Sequence, residues 1–312
     1  MASPLGLTPA YEGMKANTLR AFVDHKLKHD VHLIFPIGQR PLLNPQEEIF
    51  FSQGKRSKLE DRHFFSKTDK YCLWGIFDGH GDEGKIGELC SEMIPKQLPE
   101  LVTQYPGDMP RAFSEMLKSV QEEVRKRKMP EAKDGGSTAH INYLNLKTNE
   151  LFVATLGDSK TKLGFVSEKK RKLLPLSPIC NWGTPEEEER AYRFAGDEME
   201  KYREIWDLQL GKHRRFPPLS GCNVSRALGH LGACNEKNES PFSIEPMVSL
   251  WVLNPGDVVL SGSDGLWDYL YMDVTEMILE SDLNTPMPLA SSLGKYCLLK
   301  SKDNVTVIAV KV

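Results

Sequence analysis

The sequence predicts an α+β fold in which antiparallel sheets pack against one another with helices on the outside. Two observations carry this expectation. Three strand candidates, residues 137–146, 150–156 and 161–166, follow one another through short polar turns such as Lys147-Thr148-Asn149. Connections that short join antiparallel neighbours, because a parallel pair needs a long crossover. Before and after this block apolar residues recur at helical spacing, so strands and helices come in alternating blocks.

Taken from the start, residues 1–45 are interrupted by Pro4, Pro9, Pro36, Pro41 and Pro45 and read as an N-terminal extension, with a short amphipathic helix expected at 18–23. Residues 46–312 follow as one domain. Ile49 to Gln53 is a strand candidate, and the apolar run from Tyr71 to Phe77 reads as a buried strand. The glycine-rich run after it opens a helix through Ile86, Leu89, Cys90 and Met93. A clearer helix, Pro110 to Lys128, sets Phe113, Met116, Leu117, Val120 and Val124 on one face. Beyond the central strands, residues 176–232 lose this regularity and read as a surface-lying, flap-like insertion. It contains a helix capped by Thr184, with Pro185 in its first turn and a stop at Gly196. The sheet resumes at Asp257 to Ser261, helical spacing covers Val274, Met277, Ile278 and then Leu289, Leu293, Cys297, and the β-branched run Val305 to Val310 closes the chain. No internal repeat of fixed period interrupts this order.

Composition narrows the function classes. The 40 bases and 43 acids leave a net charge of -3, without the dominant positive field on which general nucleic-acid binding depends. Six cysteines lie far apart with no C-x-x-C pair, which argues against a zinc ribbon or redox motif and for reduced thiols. The start, Met1-Ala2-Ser3-Pro4, lacks a signal-peptide pattern and the glycine that myristoylation requires. No stretch reaches the ~18 apolar residues of a membrane span. The expectation is an intracellular protein, cytoplasmic with the nucleus as an alternative, and monomeric.

Chemistry enters through four acids in comparable places: Asp78 after the Tyr71–Phe77 strand, Asp158 after Leu156, Asp264 after Ser261, and Asp303 just before the last strand. Any one alone is more simply a turn residue whose side chain serves nearby backbone N–H groups. Brought together at one sheet edge they would repel, and such a group is stabilised by hard cations; oxygen-only ligation points to Mg or Mn over Zn. Two such ions can position and deprotonate a water and stabilise charge on a phosphoryl group.

Seven segments carry a family resemblance: Glu60-Asp61, Asp78-Gly79-His80-Gly81, Gly136-Ser137-Thr138-Ala139, Gly157-Asp158-Ser159, Val224-Ser225-Arg226-Ala227-Leu228-Gly229, Ser263-Asp264-Gly265-Leu266-Trp267-Asp268 and Asp303-Asn304-Val305-Thr306-Val307. In order and approximate spacing the chain, over residues 50–312, resembles the metal-dependent type 2C protein serine/threonine phosphatases. The resemblance implies a four-layer α/β-β/α sandwich of two antiparallel sheets flanked by helices, with a binuclear Mg/Mn centre at one end. It implies that Asp78 bridges two metals, that Gly79 lends a carbonyl oxygen, and that Asp264 and Asp303 complete the first metal's protein ligands. Glu60 and Asp61 would act on the second metal, directly or through water, and Asp158 on a weaker third shared with Asp264. Arg56, four residues before Glu60, would bind phosphate through its planar fork. His80 would protonate the leaving serine or threonine oxygen, a task for a side chain titrating near neutrality. Taken by themselves, Arg56 lies in a basic turn with Lys55 and Lys58 and could be a solvated charge, and His80 could be a hydrogen-bonded turn residue.

The pattern departs from the family in three places. Leu176-Ser177-Pro178-Ile179-Cys180-Asn181 stands where members carry an Asp-His-Lys-Pro-like segment, Asp158-Ser159 is followed by Lys160 in place of arginine, and Ala227-Leu228-Gly229 ends in His230 in place of aspartate. Arg226, Trp74 and Trp267 read as scaffold. The basic runs 169–172 and 212–215 read as solvated faces, the second within reach of an acidic or phosphorylated substrate. The activity expected is metal-dependent hydrolysis of phosphoserine and phosphothreonine on proteins; the alternative is a catalytically weak, phosphatase-like binding or regulatory module.

Overall fold

Strand β3 (Tyr71–Phe77) sits one strand in from the edge of a five-stranded antiparallel sheet, and its composition shows why. Both of its faces are covered, so nearly every residue is apolar. Cys72, Trp74 and Ile76 point to one side and Leu73 and Phe77 to the other. The structure, a computed structural model, describes residues 43–81, 83–167, 170–178, 180, 187, 189–190, 224–234, 240–284 and 288–312. The amphipathic helix expected at 18–23 and most of the flap-like insertion, with its helix from Thr184 and its basic run 212–215, lie outside the described residues.

In chain order the elements are β1 (Gln46–Ser52), β2 (Arg62–Lys67), β3, β4 (Gly79–His80), α1 (Lys85–Gln104), α2 (Met109–Lys126), β5 (Gly136–Ser137), β6 (Ala139–Asn145), β7 (Glu150–Leu156), β8 (Lys160–Ser167), β9 (Lys170–Pro175), β10 (Leu228–Gly229), β11 (Met247–Val252), β12 (Val258–Gly262), α3 (Asp264–Trp267), α4 (Met272–Asn284), α5 (Leu289–Leu298) and β13 (Val305–Lys311). Two five-stranded sheets, β11-β7-β6-β3-β2 and β1-β13-β12-β8-β9, stack face to face, and a small sheet β10-β5-β4 stands at one end. Between the large sheets Trp74, Ile76 and Val153 meet Leu163, Val259 and Ile308. The outer face of the first sheet packs on α1 and α2 through Leu73, Ile141, Ile94, Phe113 and Leu117. The outer face of the second packs on α3, α4 and α5 through Leu260, Val307, Leu266, Leu279 and Leu293. This is the four-layer helix, sheet, sheet, helix order that the sequence suggests.

The structure corrects three local readings. Residues 150–156 and 161–166 are not paired neighbours: β7 lies in the first sheet beside β6 and β11, whereas β8 pairs with β12 and β9 in the second. A short connection is compatible with either outcome. Here Gly157, at φ 95, lets the chain turn across the sandwich, a conformation a residue with a Cβ resists. Strand β11 was not expected, and residues 137–146 divide into β5 and β6 around Thr138. The first helix runs past Met93 to Gln104 despite Pro95 and Pro99, because Ile86, Leu89, Cys90, Ile94 and Leu98 keep one buried face throughout and packing offsets the lost backbone bonds. The five described cysteines are thiols outside any disulfide, as expected. Arg226 is scaffold: its guanidinium holds the buried Glu187 carboxylate and the Glu245 carbonyl.

Candidate active site

One end of the sandwich collects the acids because strand ends and starts coincide there. In the first sheet the end of β3, the start of β6 and the end of β7 are level, since Ile76 pairs with His140 and Ala139 with Leu156. In the second, Gly262 at the end of β12 pairs with Lys160 at the start of β8 and with Val307 near the start of β13. The crossing from β7 to β8 runs through Asp158 and joins the two ends. Asp78, Asp158, Asp264 and Asp303 therefore reach the same rim, with Asp61 entering at the start of β2. Asp264 and Asp303 are brought together by close backbone packing: a Cβ on Gly265 would lie 1.9 Å from the Asn304 carbonyl oxygen.

The electrostatics record this crowding. Burial pushes the Asp78 carboxyl well above the usual carboxylate range, reinforced by Asp61, Asp264 and Asp158 and by a hydrogen bond with Asp264. Burial, with repulsion from Asp303 among others, also raises Asp264. Asp158 is pushed up to about 7 by burial and then by Asp264. Asp61, 1% exposed, is pushed up to about 7, chiefly by burial. Thr306 Oγ1 donates to its Oδ2 at 2.5 Å, and Ser263 also bonds to it.

Arg56 is drawn into this group. Its Nε and Nη2 donate to Asp303 Oδ1 and Oδ2 at 2.7 and 2.9 Å, a two-pronged ion pair that leaves the arginine side chain 51% exposed. The loop carrying Arg56 is pinned by Asn304, which along the chain stands out only for its place beside Asp303. Its Oδ1 accepts from the backbone N–H of Glu60 and Asp61, and its Nδ2 donates to the carbonyls of Gln53 and Lys58. Glu60 stands by this loop with its backbone held and its charge felt by Arg56. Gly79 and His80 form β4, paired with Ser137 and Gly136 of β5. Thr138 Oγ1 accepts from the Asp78 N–H at 2.9 Å, and the Thr138 N–H donates to the Asp78 carbonyl.

His80 does not meet the expectation of a group titrating near neutrality. Burial, followed by the neighbouring His230, pushes it down to about 3. Its Nε2 lies 2.7 Å from Nε2 of His230, a residue singled out in the sequence only as a departure from the family.

The donor set suits a hard divalent cation: Asp61, Asp78, Asp158, Asp264 and Asp303 offer only oxygen, and their mutual repulsion is of the kind that such a charge relieves. Among the described residues no three His, Cys, Asp or Glu side chains stand ready to hold an ion as they are; Asp303 is turned to Arg56 and Asp61 to Thr306. The acids are gathered without being arranged. Because Asp61 and Asp158 both stand at about 7, a cation must displace their protons below that pH. The sign follows. Carboxyls with raised values stabilise the cation-free fold fully below the unfolded value of ~4, and this contribution is lost as pH rises through about 7. The increase in Tm on adding Mn(II) is therefore expected to be small at pH 6 and to grow toward pH 8, with apparent affinity changing by up to ~10-fold per pH unit for each proton displaced. Thermal melts across this range, with and without Mn(II), check this; a shift independent of pH would contradict it.

Residues 50–305 match the family model described as Protein phosphatase 2C. The chain is a member of the protein phosphatase 2C family. Among curated relatives, Protein phosphatase 1L of Bos taurus is 26% identical over 280 residues, 84% of this chain and 71% of that one. Probable protein phosphatase 2C 76 of Arabidopsis thaliana is 27% identical, over 83% of this chain and 57% of its own length. Among solved structures, serine-threonine phosphatase 2C from Toxoplasma gondii superposes with a TM-score of 0.67 at 20% identity, covering 90% of this chain and 98% of that one. A C. elegans sex determining protein gives 0.65 at 20% identity, covering 85% and 64%. At these identities the structures establish the protein phosphatase 2C fold.

Proposed function

We propose that this protein hydrolyses phosphoserine and phosphothreonine on proteins in a reaction that depends on Mg or Mn. The observation that carries the reading is the gathering of Asp61, Asp78, Asp158 and Asp264, buried and mutually repelling, beside the Arg56–Asp303 pair in a chain of this family.

In this reading Asp78, the Gly79 carbonyl, Asp264 and Asp303 would hold one ion, Asp78 with Glu60 and Asp61 a second, and Asp158 with Asp264 a weaker third. Asp61, bonded to Thr306, would act directly or through water. When bound, the ions supply an activated water and charge stabilisation at the phosphoryl group. The chain's own residues do the rest. Arg56 has a guanidinium fork already directed at the acids and half open to solvent, and it transfers from Asp303 to two phosphoryl oxygens. His80, left uncharged near neutrality because burial and His230 push it down to about 3, offers a ring N–H as a hydrogen bond to the departing serine or threonine oxygen, a contact that matters because an alkoxide is a poor leaving group. The substrate partners are phosphorylated proteins, met by a monomer in the cytoplasm. Among the described residues no helix is long and apolar enough to cross a membrane.

The test is hydrolysis of a phosphothreonine peptide by the full chain with Mn(II) or Mg(II), with and without chelator. Turnover that the chelator removes is expected. Well-folded protein without metal-dependent turnover would replace this reading with that of a phosphatase-like binding module, for which the engaged state of Asp303 and His80 already provides a structural motive.

A further inference from the structure

The three-stranded sheet β10-β5-β4 places two histidines across a glycine. His80 pairs with Gly136, which pairs on its other side with Gly229, the residue before His230. A side chain in the middle would block the approach, since a Cβ on Gly136 would lie 2.5 Å from His230 Nε2 and 2.5 Å from the Leu228 carbonyl oxygen. With glycine there the two imidazoles meet at 2.7 Å between Nε2 atoms, their rings near parallel at 23° and 4.9 Å apart.

The rest of the surroundings hold His230 in that place. Its ring stacks on Phe242 at 4.0 Å and 15°, and the residue is 1% exposed. Its backbone adopts φ 50, ψ 40, a left-handed conformation uncommon outside glycine, tied by its N–H to the Gly135 carbonyl. Gln121, buried on α2, grips the preceding residue from both sides: its Oε1 accepts from Gly229 N and its Nε2 donates to Gly229 O.

A 2.7 Å contact between two imidazole nitrogens requires one N–H and one lone pair. Each ring also feels a backbone carbonyl, Asp78 for His80 and Asp134 for His230, and the contact holds the two rings together whichever of them is the donor. We propose that His230 is a positioning residue for His80: the hydrogen bond between their Nε2 atoms, which Gly136 leaves room for, fixes the His80 ring. This rests on the phosphatase reading, in which the His80 ring serves the departing serine or threonine oxygen.

The test compares kcat and KM of the full chain with Mn(II) on a phosphothreonine peptide, which needs a proton at its leaving oxygen, and on p-nitrophenyl phosphate, whose leaving group needs far less help. His230→Phe keeps a ring on Phe242 and removes the hydrogen-bonding nitrogen. It is expected to lower the peptide-to-aryl ratio of kcat by about tenfold or more with little change in peptide KM. His230→Gln, which restores a side-chain N–H near the same place, is expected to recover most of the ratio. An equal loss on both substrates, or an unchanged ratio, overturns the role. In addition, a long-range ¹H–¹⁵N spectrum of histidine-labelled protein should show the His80 Nε2 resonance shifted in His230→Phe; an Nε2 resonance that does not move also overturns it. Wild-type protein that turns over neither substrate sinks the hydrolase reading itself, and the spectrum still decides whether His230 holds His80.

Discussion

Asp264→Asn is expected to lower metal-dependent kcat by about a thousandfold or more, the scale of several kcal/mol of lost charge stabilisation, while the protein remains folded. Asp264 is unlike an ordinary buried acid whose loss opens a hole. It is surrounded by Asp78, Asp303 and Asp158, all of the same sign, and asparagine keeps its shape while removing one of the mutually repelling charges. The cation-free Tm should therefore stay level or rise, and the Mn(II)-induced increase should shrink. Kinetics and melts on the same preparation check both halves. Unaltered turnover would mean that the metal site lies elsewhere, and a collapsed Tm would mean that the acid is structural.

Arg56→Ala has the second large effect, and it falls on binding. Two charge-assisted hydrogen bonds to phosphate, worth ~1.5–3 kcal/mol each, are lost. KM for a phosphothreonine peptide should rise by about a hundredfold or more at saturating Mn(II), with a smaller change in kcat. Stability should hardly move, because the Arg56–Asp303 pair is half exposed on the arginine side and such pairs contribute ~0–1 kcal/mol. Removing Arg56 also frees Asp303, so half-saturation by Mn(II) should come at lower concentration. Titrating metal and peptide separately distinguishes the two effects. A normal KM would exclude Arg56 from the phosphate site.

Several parts of the site could be read along the chain. Asp78, Asp158, Asp264 and Asp303 each sit at a strand boundary marked by small or polar residues, and each proves to lie at the same rim. Asn304, Thr306 and Ser263 could not be found this way. They are small polar residues with no pattern of their own, and they acquire a role only when β13 brings them against the loop of Glu60 and Asp61. His230 is the sharpest case: along the chain it is a departure in a family motif, and across β5 it is the neighbour of His80.

The division between the two levels has a physical basis. Periodicity and punctuation act over a few residues, so the apolar faces of α1 and α2, the double burial of β3 and the acids at strand ends were all written locally, and the α+β class with them. Which sheet a strand joins is settled by non-local pairing and by the shape of a turn: β7 and β8 are separated by Gly157, Asp158 and Ser159, yet they lie in different sheets because a left-handed glycine turns the chain across the core. Charge states are non-local too. Asp78 alone would be an ordinary carboxylate and His80 an ordinary imidazole; burial beside three like charges and beside a second histidine moves both, and only the packed fold brings those neighbours within reach.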